Sequence, residues 1–483
     1  MEEFDLDIIA RKSIKGVFAL VSRTFLIQVL GIVASFILTV FLDPASYGVF
    51  FVVSAIIIFL NYFQDIGLAA ALIQKKDPIT REELTTTFTA QQVLVLSAVI
   101  PTLIFSKQIA SFYGLNQDGY MLFIALVFSF FLSSLRTIPT ILLERNLNFN
   151  KLVIPQILEN IFYNVALIIF AVMGFGINSF TIAVVLRGIV GLISTYLVQP
   201  WKIGFSFSRP TFRRLISYGI PFQANSLLAL VKDDLLIIYI GKVLPLSQVG
   251  YIGFAQKWAF LPLRLIMDNV IKITFPSMSR LQHDENGLRV AIEKSLFMIS
   301  FFIFPAAVGL IMFSSSLITL IPRYEKWEPT VLALTFFALN SVFSSISTPL
   351  TNFLNAIGKV KITLIFMVIW TALTWILTPL FIFLYGFNGV ALASFVVSIS
   401  SIFVIVVARR YVKFSFVRPV ARQFAAAIVM LVFILLTRNI ITSFSTLFLE
   451  MAFSGIIYLG VLMVIARNDL LKTSRFVFES IRK

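Results

Sequence analysis

The chain has 483 residues, 59% hydrophobic and only 13% charged, with 52 Phe and a mean hydropathy of +0.96, which excludes an ordinary water-soluble protein and places it in the membrane class. With no cysteine and one histidine, a disulfide framework, thiolate chemistry and a Cys/His metal cluster are excluded. The net charge of +16 is dispersed at the ends of apolar segments rather than forming a stripe interleaved with aromatics, which excludes nucleic acid as a partner.

The first residues, MEEFDLDIIARKSIKG, are acidic and then basic, without a small-residue cleavage site after a short apolar core, and read as a retained cytoplasmic tail. Six apolar runs follow at 17–42, 47–64, 86–111, 119–143, 152–174 and 178–200, each enough for a hydrocarbon core of roughly 30 Å. Arg23 lies in the first run, Asp65 closes the second, Arg136 lies in the fourth, Glu159 in the fifth and Arg187 in the sixth.

Six more runs occupy 214–241, 248–272, 292–321, 328–354, 360–385 and 388–409. The seventh span holds Lys232, Asp233 and Asp234 side by side. The eighth, GYIGFAQKWAFLPLRLIMDNVIKITFP, holds Lys257, Arg264, Asp268 and Lys272. Two last runs, 419–437 and 446–466, bring the expected count to fourteen. With the amino terminus inside, cytoplasmic tails and loops carry 27 Lys and Arg, the opposite side carries five, and seven lie within spans. That asymmetry supports an even count with both termini cytoplasmic.

The chain also repeats itself. SLRTIPTILLERNLNFNKL from Ser134 aligns with SSISTPLTNFLNAIGKVKI from Ser344, placing Pro139 over Pro349. GINSFTIA from Gly176 aligns with GFNGVALA from Gly386 at the same offset, and LDPASYG ending at Gly48 resembles LPLSQVG ending at Gly250. The fold class expected is therefore an all-α polytopic membrane protein. Its parts are a six-helix lobe over 1–205, a second over 206–412 related to it by a pseudo-two-fold axis along the membrane normal, and two additional helices with a tail over 413–483.

An ionised side chain near the bilayer centre costs on the order of 2.5–3.5 kcal/mol, so each one is expected to face protein or a watery cavity. At 100° per residue, Lys257, Arg264, Asp268 and Lys272 share an arc of about 80°. Arg23 and Arg136 stand close enough to the cytoplasmic ends to snorkel, and Lys272 and Asp65 to be interfacial. The candidate cationic cavity comprises Arg23, Arg136, Arg187, Lys232, Lys257, Arg264 and Lys272. Asp233, Asp234, Glu159 and Asp268 are the candidates for ion coupling or charge pairing. Excess positive charge suits an anionic cargo, a lipid diphosphate or an acidic sugar, and Arg offers phosphate a bidentate contact. His283, beside Asp284 and Glu285, reads as a solvated loop residue.

FLDPASYGVF, DIGLAAALIQKKDPITREELTTTF, ILLERNLNFNKL and VGYIGFAQKWAFLPLRLIMDNVIKITFPSMSRLQHDENGLR carry a resemblance to a known family. The sequence resembles the polysaccharide transporter (Wzx-type) family of oligosaccharidyl-lipid flippases, of the multidrug/oligosaccharidyl-lipid/polysaccharide exporter superfamily, over nearly its whole length. The resemblance implies a bilobed bundle in the cytoplasmic membrane. It would move a polyprenyl-diphosphate-linked oligosaccharide between leaflets by alternating access, coupled to H⁺ or Na⁺ and without another cofactor. A polysaccharide polymerase and glycosyltransferases are the implied protein partners, and capsule, O-antigen or teichuronic-acid-like polymers the implied products. By the same resemblance, Arg23 and Arg264 correspond to cavity-facing basic positions. The acidic position of span 7 departs from the family pattern: an Asp stands about five residues before the matching glycine there, whereas Asp234 precedes Gly241 by seven. Asp233 and Asp234 therefore both stay open as the matching carboxylate.

Competing functions differ in what they need. A membrane polymerase needs reactive groups in a sizeable outer loop, yet GLNQDG and PRYEKWEP are short. A drug/cation antiporter favours acidic cavity residues. A peptidoglycan-precursor flippase, whose cargo is also a lipid diphosphate, remains the closest alternative.

Overall fold

The computed structural model describes residues 26–75 and 77–467, and the regular elements among them are all helices. Arg23 lies outside the described residues, and so does the side chain of Asp268.

Every expected span overlaps a helix. The first two are α1 (Leu26–Phe41) and α2 (Pro44–Gln64). Asp43 starts α2 by accepting the Ser46 N–H, with proline at the first helical position. A short α3 (Leu68–Gln74) leads to α4 (Arg81–Ile104), which opens with a capping box in which Thr80 and Glu83 each satisfy the other's backbone N–H. Two spans in this half are each split: α4 gives way to α5 (Ser106–Phe112), and α6 (Gln117–Leu135) breaks at Arg136 before α7 (Thr137–Arg145). The set continues with α8 (Phe149–Val172), α9 (Asn178–Val198) and α10 (Arg209–Val243).

Beyond them lie α11 (Leu246–Arg280), α12 (Glu285–Leu320), α13 (Thr330–Ala356) and α14 (Val360–Tyr385). A split pair, α15 (Asn388–Ile399) and α16 (Ile402–Ala408), precedes α17 (Val417–Thr437) and α18 (Phe444–Ile465). Among the described residues, eleven segments are long and apolar enough to cross a bilayer, and Leu26–Phe41 is a shorter apolar helix. The spans of α10 and α11 fall outside that set although each helix runs 35 residues. These are the two helices that carry Lys232–Asp234 and the Lys257–Lys272 stripe.

Packing divides the chain into two compact units, Met1–Gly250 and Tyr251–Lys483. In the first, α9 packs against α6 and α8, while α10 lies along α2, α3 and α4. The second unit packs α15 against α13 and α14, and α12 against α13 and α17. The α6–α8–α9 arrangement thus recurs as α13–α14–α15, as the sequence repeat requires. The glycines opening the αα turns of the two copies, Gly176 and Gly386, both adopt left-handed backbone, with φ of 55° and 61°. Sequence similarity divides the repeats after residue 205, whereas packing places the division after Gly250, because α10 rests on the first copy's helices.

The two short motifs around Gly48 and Gly250 meet reciprocally. A methyl group at Gly48 would fall on the Leu246 carbonyl, and one at Gly250 on the Pro44 carbonyl. Such a close backbone crossing needs glycine, as in small-residue contacts between membrane helices.

Buried polar contacts fix the connectors. Glu83, 2% exposed, holds Lys75 at 2.9 Å and Arg214 at 2.5 Å. The connector before α10 lies along α4, with Thr85 bonded to Ser206 at 2.5 Å and Ser208 N–H donating to Thr86 at 3.1 Å. In the second unit Glu293 of α12 accepts the Ser415 N–H of the connector before α17 at 2.7 Å.

Candidate functional site

The break between α6 and α7 builds the site. Irregular backbone at membrane depth is tolerated where it is buried or lines a watery cavity, and Arg136, which caps α6 at φ −96° and ψ 4°, lines two adjoining chambers in the first unit. The Ser134 carbonyl at the break accepts Gln92 at 3.3 Å and Thr137 at 2.9 Å. The Arg136 carbonyl accepts Thr140 at 2.9 Å.

Arg136 Nη1 donates to Glu159 Oε2 at 2.6 Å. The carboxylate on α8 is 5% exposed, and the pair meets the small-residue face of α9. A methyl group at Gly191 would lie 2.6 Å from both Arg136 Nη1 and Glu159 Oε2. A Cβ at Gly188 would sit 3.0 Å from Ser129 Oγ on α6. Small residues at these steps let α9 approach closely enough for the ion pair to sit beneath it.

The first chamber, about 420 Å³, is walled by α2, α6, α8 and α9. It holds Arg136, Glu159 and Arg187 together with Tyr163, Asn61 and Ser129. Arg187 lies 5.5 Å from the Tyr163 ring centroid, a cation–π arrangement that leaves its guanidinium accessible. The second chamber, about 370 Å³, shares Ser133, Arg136 and Glu159 with the first. Its other polar groups come from α2, α7, α8 and α9: Gln64, Thr137, Thr140, Glu144, Gln156 and Thr195. Both volumes fall in the roughly 300–1,000 Å³ range of small-ligand sites. The Arg136–Glu159 pair is their common wall.

Of the sequence candidates, Arg136, Glu159 and Arg187 are therefore brought together. Glu159 acts as a charge partner for Arg136 in this arrangement. On α10, Lys232 Nζ lies 3.3 Å from Asp233 Oδ1, with the aspartate side chain 66% exposed. Asp234 beside it is half-buried. Lys257, Arg264 and Lys272 all have exposed side chains on α11 in the second unit. Arg23 and the Asp268 side chain lie outside the described residues. Among the described residues, no group of three or more His, Cys, Asp or Glu is placed to hold a metal ion.

Sequence reasoning missed two sets of residues. Glu83 stood in a loop expectation, although Thr80-x-x-Glu83 is a capping-box pattern. The uncharged wall of the second chamber was also missed, because Thr and Gln inside a span draw little notice in a search for charge.

The profile of a family described as polysaccharide biosynthesis protein matches residues 37–332. The chain is 24% identical over 364 residues to an uncharacterised membrane protein in the cps region of Klebsiella pneumoniae, covering 74% of this chain and 73% of that one. It is 24% identical over 373 residues to the lipopolysaccharide biosynthesis protein WzxC of Escherichia coli K12, covering 75% and 73%. Among solved structures, the lipid II flippase MurJ in an inward closed conformation matches with a TM-score of 0.76 at 18% identity, covering 94% of this chain and all of that one.

Proposed function

The chain belongs to the polysaccharide biosynthesis protein family, and we propose that it is a flippase that carries polyprenyl-diphosphate-linked oligosaccharide repeat units across the cytoplasmic membrane for a surface polysaccharide. The observation that carries this reading is the chamber of the first unit, where Arg187 stands accessible and Arg136 is held by Glu159. Two guanidiniums lining one chamber suit a diphosphate, which arginine can grip bidentately. Arg23, Lys232, Lys257, Arg264 and Lys272 supply further positive charge along the route. Asp234 is the proposed coupling carboxylate for H⁺ or Na⁺, because Asp233 is engaged by Lys232. Both termini are cytoplasmic in this reading, translocation proceeds by alternating access, and a polymerase and glycosyltransferases act before and after it.

The likeness in fold to a lipid II flippase supports a second reading, a peptidoglycan precursor as cargo, since that too is a lipid diphosphate. The family match favours the polysaccharide unit.

The test is Arg187→Ala and Arg264→Ala expressed in cells lacking the native chain. Surface polymer should fall at least tenfold while the amount of protein in the membrane stays at the wild-type level. Full polymer in both variants would defeat the cationic-route reading.

A further inference from the structure

The second chamber is built against the preference of its own fold. The repeat gives the chamber's residues from α6 to α9 a counterpart 210 positions on, the offset from Pro139 to Pro349, and one of them, Thr137, keeps a polar counterpart in Ser347. Thr140, Glu144, Gln156 and Thr195 correspond in this way to Leu350, Leu354, Phe366 and Ile405. In the second unit Leu350, Leu354 and Phe366 are 0%, 0% and 9% exposed within the main hydrophobic core, and Ile405 packs against it. The same helical arrangement therefore also accommodates apolar side chains at these four positions. In the first unit they are polar and enclose about 370 Å³.

The dividing wall shows the same asymmetry. Arg136, Glu159 and Arg187 correspond to Ile346, Ile369 and Val397. α13 runs unbroken through its counterpart of the α6–α7 break. Folding does not demand charge, a broken helix or an open chamber at these places. Their presence in one copy only is an asymmetry that a ligand site in that copy would account for.

The chemistry of the two chambers differs. Beyond the shared pair, the first contains Arg187. The second contains no cation of its own, and Gln64, Thr137, Thr140, Gln156 and Thr195 offer amide and hydroxyl groups. Gln64 Nε2 bonds Thr137 Oγ1 at 3.2 Å, and the Thr137 and Thr140 hydroxyls donate to backbone carbonyls, so their oxygens are turned to accept. Dense, uncharged hydrogen-bonding groups with one carboxyl, Glu144, match the alternating donors and acceptors of a polyhydroxylated ring rather than a phosphate.

We propose that the second chamber is a subsite for a neutral sugar ring, the one attached to the diphosphate, and that Thr140, Gln156 and Thr195 help determine which sugar is accepted. The inference rests on the flippase reading above. With the diphosphate at Arg187 and Arg136, the adjoining sugar lies across the Arg136–Glu159 wall, against the Gln and Thr side chains.

The experiment uses the full chain in nanodiscs, with farnesyl diphosphate and a panel of farnesyl-diphospho-hexoses and N-acetylhexosamines as probes. At least one sugar-bearing probe should bind about tenfold more tightly than farnesyl diphosphate, the effect of one or two net hydrogen bonds. Thr140→Leu and Gln156→Phe, which install the residues of the second copy, should each remove most of that advantage. Thr140→Val, which keeps the size and removes the hydroxyl, should do so in part. Farnesyl diphosphate should bind these variants within twofold of wild type, whereas Arg187→Ala should weaken every probe. If no sugar improves binding, or if the filled variants keep the advantage, the subsite is wrong while the flippase reading stands. If farnesyl diphosphate binds without regard to Arg187, both fail.

Discussion

Arg136 and Glu159 illustrate how one buried contact organises a site. Each is a charge that would cost several kcal/mol alone in a membrane interior, and each offsets that cost for the other at 2.6 Å. Removing one partner leaves the other in a chamber that water can enter, so the loss should be moderate, about 1–3 kcal/mol. Arg136→Ala and Glu159→Ala should each lower the thermal midpoint in detergent, and the double variant should lower it by less than the two losses added. Simple additivity would mean that the pair is not formed in the folded protein. The charges were legible in the sequence because ionised groups inside an apolar run stand out, and Arg136, Glu159 and Arg187 were all found that way. Their meeting in one chamber was not legible, since they lie on separate helices. Nor was the role of Gly191, whose missing side chain makes room for the pair. The Thr and Gln wall could have been found by setting the two repeats side by side and asking where polarity is present in one copy only.

Among the elements, the spans were legible because each contains an apolar run long enough to cross a bilayer, and α10 and α11 were recognised in spite of their charges. The breaks at Phe105, Arg136 and Ser400–Ser401 were not, since continuous apolar runs cross them. Tertiary contacts decide where such a run bends. The reciprocal crossing of Gly48 and Gly250 gives a prediction at this scale. In Gly250→Ala the new methyl meets a backbone carbonyl that has no rotamer to move, whereas at Gly309 in α12 the nearest atom is a Phe313 ring carbon at 3.9 Å. Gly250→Ala should therefore cost about 1–3 kcal/mol, as overpacking does, and Gly309→Ala should be close to neutral. Thermal unfolding of the two purified variants distinguishes them, and equal midpoints would refute the close crossing.

For the whole molecule, a repeated pattern was readable from a handful of aligned motifs, and three helices of each copy pack alike, α6–α8–α9 and α13–α14–α15. The two copies are not equal. One keeps a broken helix, an ion pair and open chambers, and the other fills the corresponding positions with Ile, Leu and Phe. Duplication supplies a frame in which the two copies can carry different side chains at corresponding positions. The proposed role of this chain is to move a lipid-linked oligosaccharide between leaflets. It is tested most directly by measuring how much of that lipid is reachable from outside intact spheroplasts, with and without the chain. Without it the lipid-linked unit should accumulate out of reach on the cytoplasmic face, and the wild-type chain, but not Arg187→Ala, should restore outer-leaflet labelling. Equal labelling in its presence and absence would rule out that role.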